Sequence, residues 1–416
     1  MGSFSFGAGN AAKLARIPLY ALGRLATLVI PRTDSWVFGC GAGIGDGPLE
    51  LWREEQKHGV SAVWLVDNDR DARDAAAQGI PTRRKRSIAG FLATARAGVI
   101  VVSHGFGDVN PYAVSGAFIV QLWHGIPLKR IGLDSPETVR SRFLPRSALV
   151  SRVLARMYGY AQSRISLLPA ASHLVRGRLE SAFGLPDERI VVSGEPRVDV
   201  LSRGTAEERL AQARAVLEAA VGELPERILL YAPTWRDGES DPAVPTAADW
   251  RALTDMLQRH DAALLIRSHP LGVGAYASAD LTDRIRLLGS DVLRDVTPAL
   301  PAITGLITDY SSLAYDAGLV PMPVHFLVPD LESYAARRGF YARFRDVAGD
   351  DYQRGWAGVA RQLDETLSDP DVLAARVARA ERLSEKVHAF RDGGNTQRVH
   401  RAIERRRAAA RRKGRR

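Results

Sequence analysis

Short, unbroken apolar runs separated by amphipathic stretches limit this chain to one kind of architecture. Runs at 36–40, 62–66, 99–102, 118–122, 165–168 and 190–192 have the length of strands, and the stretches between them, such as 49–58 and 70–78, have helical spacing. After a helical stretch at 206–220 the alternation resumes, with runs at 228–232, 263–267, 285–288, 306–308 and 324–328. The runs are continuously apolar rather than alternating, as suits strands covered on both faces. Strands that alternate with helices build parallel sheets through right-handed crossovers. Two series of similar size therefore predict an α/β chain of two Rossmann-like domains facing a cleft. Residues 355–416 read as helical, with no strand.

Composition removes other classes. With 46% hydrophobic and 25% charged residues the chain has the material for buried cores, which excludes a disordered or collagen-like polymer. The one cysteine, Cys40, excludes an internal disulfide and a zinc site built from cysteines. The net charge of +10 suggests nucleic acid until it is localised. Residues 401–416 hold nine basic residues against Glu404, which leaves about +2 for the rest. Such a tail either holds phosphates or anionic lipid, or is simply solvated. Residues 11–32 are cationic too: Lys13, Arg16, Tyr20 and Arg24 share one side of a helical wheel, with Leu14, Leu22, Leu25 and Leu28 over much of the rest. Arg16 and Arg24 interrupt the apolar run too early for a membrane span, and Pro18 bends the helix or marks its start. The segment reads either as a helix in the membrane interface or as one packed on its own domain.

In open parallel sheets ligands bind beyond the carboxyl ends of the strands, so reactive residues are sought there. Glycine occupies every second position from Gly39 to Gly47, so no register gives G-x-G-x-x-G, and G-x-x-x-x-G-K is absent. Asp67 ends the second strand, where an NAD enzyme holds ribose, but alone it does not make a dinucleotide site. The glycines are expected to let backbone approach a ligand. The run 118–122 leads into Trp123-His124-Gly125-Ile126-Pro127-Leu128-Lys129, which places His124 as a general base, or else as a core histidine bonded to backbone. Lys129 and Arg130 suit an anionic substrate, and His104 is a weaker candidate on the same logic. Three later strands end in Thr234-Trp235-Arg236-Asp237, Arg267-Ser268-His269-Pro270 and Asp309-Tyr310-Ser311-Ser312. Together they predict a cationic, donor-rich pocket for a nucleoside diphosphate, with Ser311 and Ser312 opening a helix. No G-x-S-x-G elbow and no histidine–carboxylate cluster of metal-ligand spacing occurs, so no metal and no cofactor are expected.

The segment 120–134 resembles the W-H-G-T-P-L-K signature of the CDP-glycerol glycerophosphotransferases, the teichoic acid primases and polymerases. Gly194-Glu195-Pro196-Arg197-Val198-Asp199 is similar to their G-x-P-R-N-D segment, and Tyr231-Ala232-Pro233-Thr234-Trp235-Arg236 to their Y-A-P-T-W-R. Segments at 267–270, 309–312, 328–341 and 392–399 follow in family order; Ile126 and Val198 replace the usual threonine and asparagine. The resemblance implies a GT-B type transferase in which an acceptor hydroxyl attacks CDP-glycerol and CMP leaves. It implies His124 and His269 as catalytic residues, with Arg267 also at the phosphates and Ser311 and Ser312 on the pyrophosphate. It adds Asp134 and Arg197 to a substrate-binding set of Lys129, Thr234, Trp235, Arg236, Arg267, Asp309, Ser311 and Ser312.

The expected organisation is an amphipathic segment at 1–32, an acceptor domain at 33–200, a CDP-alcohol domain at 201–385, and a C-terminal helix with basic tail at 386–416. The expected partners are a CDP-glycerol or CDP-ribitol donor, a lipid-linked or polymeric acceptor and an anionic membrane surface at the cytoplasmic face, with no nucleic acid. The competing readings are a nucleotide-sugar glycosyltransferase on the same architecture and, on the tail alone, a non-catalytic membrane or nucleic-acid binder.

Overall fold

The apolar runs pair in register into two sheets that are parallel throughout. A computed structural model describes residues 17–140, 144, 147–236, 240–268, 276 and 282–414. Lys13, Leu14 and Arg16 of the N-terminal wheel, Asp237, His269, Pro270, and Arg415 and Arg416 of the tail lie outside the described residues. The chain divides into two compact units, one of Met1–Gly125, Arg130–Asp199 and Asp392–Arg416, the other of Ile126–Lys129 and Val200–Arg391.

The first unit holds β1 (Thr33–Phe38), β2 (Ala62–Val66), β3 (Thr82–Arg84), β4 (Ala97–Val102), β5 (Phe118–Gln121), β6 (Ile165–Ala170) and β7 (Ile190–Val192), in spatial order β3-β2-β1-β4-β5-β6-β7. The second holds β8 (Arg227–Ala232), β9 (Ala262–Ile266), β10 (Ile285–Leu287), β11 (Gly305–Thr308) and β12 (Val324–Phe326), in the order β10-β9-β8-β11-β12. In both, the first strand of the series lies inside the sheet and the order reverses beside it. That reversal is the switch point at which doubly wound sheets receive ligands. It falls between β1 and β4 in one unit and between β8 and β11 in the other.

One strand, β3, is absent from the sequence expectation. Thr82-Arg83-Arg84 is polar and lies at the sheet edge, where one flank and part of the surface stay wet, so no apolar run marks it.

The helix Asn395–Gly414 belongs to the first unit: Val399, Ala402 and Ile403 join Trp36, Phe38, Trp52 and Trp64 in its core. Its start is tied by Asp199, which is fully buried. Asp199 accepts from the Asn395 and Thr396 N–H groups at 3.0 and 2.8 Å and from Thr396 Oγ1 at 2.6 Å. The basic tail is therefore partly committed to the fold. Arg406 donates to the Ser166 carbonyl, and Arg407 and Arg411 both pair with Asp34.

The helix Ile17–Val29 starts one residue before Pro18, a position that costs no helical hydrogen bond. Arg32 anchors its end by donating to the carbonyls of Thr94, Ala97, Ala113 and Ser115. Leu22, Leu25 and Leu28 stay exposed.

His325 on β12 is buried, and desolvation together with the charge of Arg376 lowers its pKa to about 3. In the unfolded chain a histidine takes a proton near pH 6.5. The unfolded state therefore binds the extra proton below about 6.5, and stability falls as pH drops from there toward 3. His104, lowered to about 4 by burial, adds to the same decline. In His325→Leu the unfolding free energy, measured by urea titration between pH 7 and pH 4, should fall less steeply than in the parent; an unchanged slope would assign the acid sensitivity to other groups.

Candidate active site

At the first switch point the loops after β1 and β4 close against each other. A Cβ on Gly39 would lie 2.2 Å from the Asp108 carbonyl oxygen, and one on Gly41 would lie 2.7 Å from Cγ of His104. The glycines thus admit a neighbouring loop, which is a different task from the approach to a ligand that their spacing suggested. Asp108 shapes that loop: its carboxylate accepts from the N–H groups of Ser103 and His104 at 3.0 and 2.7 Å, and burial pushes its pKa up to about 6.

His104 is the floor for His124. The two imidazoles stack with centroids 4.2 Å apart and planes 2° from parallel, and the Trp123 ring lies 4.2 Å from that of His124. Trp123 has φ +63°, a left-handed conformation that a tryptophan adopts only under constraint, and its ring is set edge-on against Phe183. His124 Nδ1 lies 3.3 Å from the Ser103 carbonyl oxygen. A carbonyl can only accept, so this contact puts the proton on Nδ1 and makes Nε2 the basic nitrogen. His124 is an exposed residue, not the buried core histidine that its sequence context also allowed.

Two further predicted residues of this unit make bonds within the protein. Arg197 is buried and its guanidinium bonds Glu195 at 3.0–3.1 Å. Asp134 accepts from Ser181 Oγ at 2.6 Å, which ties the 3₁₀ turn Gly132–Asp134 to the helix His173–Phe183.

In the second unit the loops after β8 and β11 meet through Asp309. Its carboxylate accepts from the Thr234 N–H at 2.9 and 3.1 Å and pairs with Arg236 at 2.8 Å. Arg236, only 2% exposed, also bonds both oxygens of Asp330, and its guanidinium lies 5.1 Å from the ring centres of Tyr310 and Tyr334. Burial alone would lower its pKa; the two carboxylates hold it above the ordinary arginine value. Arg267 donates to the carbonyls of Leu288, Leu293 and Arg294 and so braces a loop. Both arginines thus donate to protein acceptors, Arg236 to two carboxylates and Arg267 to three carbonyls.

Around this core stand the residues with access to solvent. Thr234, Trp235, Ser311 and Ser312 are half-buried. Ser311 Oγ accepts from the Leu313 N–H at 3.3 Å, at the head of a helix only four residues long, Leu313–Asp316. Lys129, in the short segment that joins this unit, reaches Tyr334 Oη at 3.4 Å. Burial and the positive charges of Arg338 and Arg236 lower the lysine pKa to about 8, against the opposing pull of Asp309. Asp330 and Tyr334 were not singled out as site residues, although both fall in the family-like segment at 328–341. What they share with Lys129 and Arg236 is a place in space, across long sequence separations.

Doubly wound parallel sheets, with histidines beyond the strands of one and hydroxyls and a lysine beyond those of the other, define a protein of the open α/β class. A family model described as "CDP-Glycerol:Poly(glycerophosphate) glycerophosphotransferase" matches residues 46–405, and the chain belongs to that family. It is 29% identical over 252 residues to a teichoic acid poly(glycerol phosphate) polymerase of Staphylococcus epidermidis, covering 59% of this chain and 33% of the relative. It is 27% identical over 335 residues to a teichoic acid glycerol-phosphate transferase of Staphylococcus aureus, covering 78% of this chain and 80% of the relative. The chain thus spans one third of the length of one relative and four fifths of the other. In fold it is similar to the wall teichoic acid polymerase TagF, with a TM-score of 0.75, 22% identity and 96% of each chain covered.

The arrangement around Arg236 has a measurable signature. Arg236→Ala leaves Asp309 and Asp330 without their shared cation and should cost about 3–5 kcal/mol in chemical denaturation. Arg236→Lys should also lose stability, because an ammonium cannot span two carboxylates as a planar fork does. Unaltered stability with weakened ligand binding would instead make Arg236 a direct ligand contact.

Proposed function

We propose that this chain transfers glycerol phosphate from CDP-glycerol to a hydroxyl of a lipid-linked or polymeric acceptor, releasing CMP, in the synthesis of a teichoic acid or related envelope polymer. The observation that carries the reading is His124. It is exposed at the carboxyl end of β5, stacked on His104, and has its Nδ1 proton committed to a backbone carbonyl. Nε2 takes the acceptor's proton while the acceptor oxygen bonds to the phosphorus that bears the glycerol. The bond from that phosphorus to the CMP oxygen breaks, and CMP leaves with the electron pair. Such transfers depend mainly on positioning and charge stabilisation.

In this reading the two sheets face a cleft in the GT-B manner, the 200–391 unit holds the CDP-alcohol and the first unit receives the acceptor. Lys129, Ser311 and Ser312 offer donors to the diphosphate, and family resemblance assigns His269 to the same chemistry. Arg236, Asp309 and Arg267 act through the loops they brace. With a lipid-linked acceptor and a panel of donors, CMP release is expected with CDP-glycerol and not with UDP-sugars. CDP-ribitol is the comparison that sets the donor alcohol. His124→Ala should lower turnover by about 10²–10⁴-fold with an unchanged circular dichroism spectrum. Transfer from a UDP-sugar would overturn the donor assignment, and near-parental turnover in the variant would remove His124 from the reaction.

The same reading puts the protein on a membrane surface without a span; no helix among the described residues is long and apolar enough to cross one. Leu22, Leu25, Leu28 and Val29 of the helix Ile17–Val29 are exposed, as are Leu149, Val153 and Met157 of Ala148–Gln162. Arg24 donates to Tyr160 Oη at 3.2 Å, so the two helices are neighbours, and Arg152 and Arg156 are exposed beside those apolar groups. Apolar groups flanked by arginines suit an anionic interface. Full burial of a leucine contributes about 1.5–3 kcal/mol, so two charges in place of two leucines suffice to disrupt attachment. Leu22→Glu with Leu25→Glu should release the protein from anionic vesicles while turnover on a soluble acceptor persists. Continued sedimentation with vesicles would move the attachment elsewhere.

A further inference from the structure

The loops at the first switch point also gather three side chains that take no chemical step in the proposed transfer. Cys40 lies two residues beyond β1, Asp46 begins the helix Asp46–Lys57, and His104 lies two residues beyond β4. One ligand atom from each lies within 4.8 Å of the other two, and all three residues are half-buried. Among the described residues this is the one such grouping of histidine, cysteine and acidic side chains.

We propose that Cys40, Asp46 and His104 form a binding site for a divalent transition-metal ion of the zinc class. The donor set argues for that class. A sulfur and an imidazole nitrogen select against magnesium and calcium, which take oxygen ligands. A thiolate and a carboxylate together supply two negative charges against the two of the ion, and the neutral imidazole completes a set of three. Three protein ligands with a fourth position open is the pattern of accessible zinc sites. Tetrahedral zinc with these ligands places donor atoms about 3.3–3.6 Å apart, so the trio closes on an ion with side-chain shifts on the order of 1 Å. On binding, the Cys40 thiol gives its proton to solvent and the sulfur bonds to the ion as thiolate.

Ser103 prepares the site from behind. Its hydroxyl donates to Cys40 Sγ at 3.2 Å and lies 2.8 Å from His104 Nδ1, so it orients both soft ligands. A bound ion would fasten the glycine loop to the loop after β4. It would also fix the His104 ring on which His124 rests. This inference concerns metal binding, and its test does not read transfer, so it stands or falls apart from the function proposed above.

The experiment uses the full chain, stripped with a chelator and titrated with Co²⁺ as a spectroscopic probe. One Co²⁺ per chain should bind with a near-ultraviolet thiolate-to-cobalt charge-transfer band, and Zn²⁺ should displace it while Mg²⁺ does not. Cys40→Ser should abolish the band. Asp46→Asn and His104→Gln should weaken Co²⁺ binding by at least about tenfold, in line with the loss of a ligand. Zn²⁺ should raise the melting temperature of the parent but not of Cys40→Ser, which keeps the test valid should a variant prove less stable. A parent protein that gives no charge-transfer band with stoichiometric Co²⁺, or a band that survives in Cys40→Ser, would overturn the proposal.

Discussion

The carboxyl edge of the second sheet depends on one buried cation. Arg236 sits between Asp309, which follows β11, and Asp330, which follows β12, while its own loop follows β8. Removing these charges from water is expensive, and their attraction offsets that only where the geometry is good and the remaining donors are used. Here Thr234, Tyr310 and the faces of two tyrosines supply those extra contacts. The result is a set of loops whose spacing is set by charge pairing. The half-buried residues Lys129, Ser311 and Ser312 stand on that frame.

At its switch point the first sheet holds its loops in another way. Asp108 organises its loop by accepting backbone N–H groups, and close glycine–backbone approach replaces side-chain packing. The two units therefore reach similar ends, loops held firmly beyond a switch point, by different means. One is electrostatic and the other steric.

Among the described residues, eleven of the twelve strands were legible because their buried parts are continuously apolar, even where an end is polar, as at Thr33-Asp34-Ser35 of β1. β3 was not, since an edge strand of Thr82, Arg83 and Arg84 carries no such obligation. The sequence placed the candidate residues beyond the strands but could not show their partners. His124 was found from its place after a strand, whereas its stacking partner and its carbonyl acceptor depend on the neighbouring loop. Arg236 looked like a ligand contact because an arginine beyond a strand offers donors. What absorbs those donors is Asp330, 94 residues later. Cys40, Asp46 and His104 follow no ligand spacing at all, because the pairing of β1 with β4 brings them together.

The ties from Asp199 to Asn395 and Thr396 also give the chain an order of assembly. Asp199 and Thr396 are 197 residues apart in sequence, and all of the second unit except Ile126–Lys129 is synthesised between them. At a translation rate of about 5–20 residues per second, the interval is on the order of ten to forty seconds. During that time the core around Trp36 and Trp64 lacks Val399, Ala402 and Ile403. The unit that starts first on the ribosome is thus the last to be sealed, and its apolar face must wait uncovered while the second sheet folds.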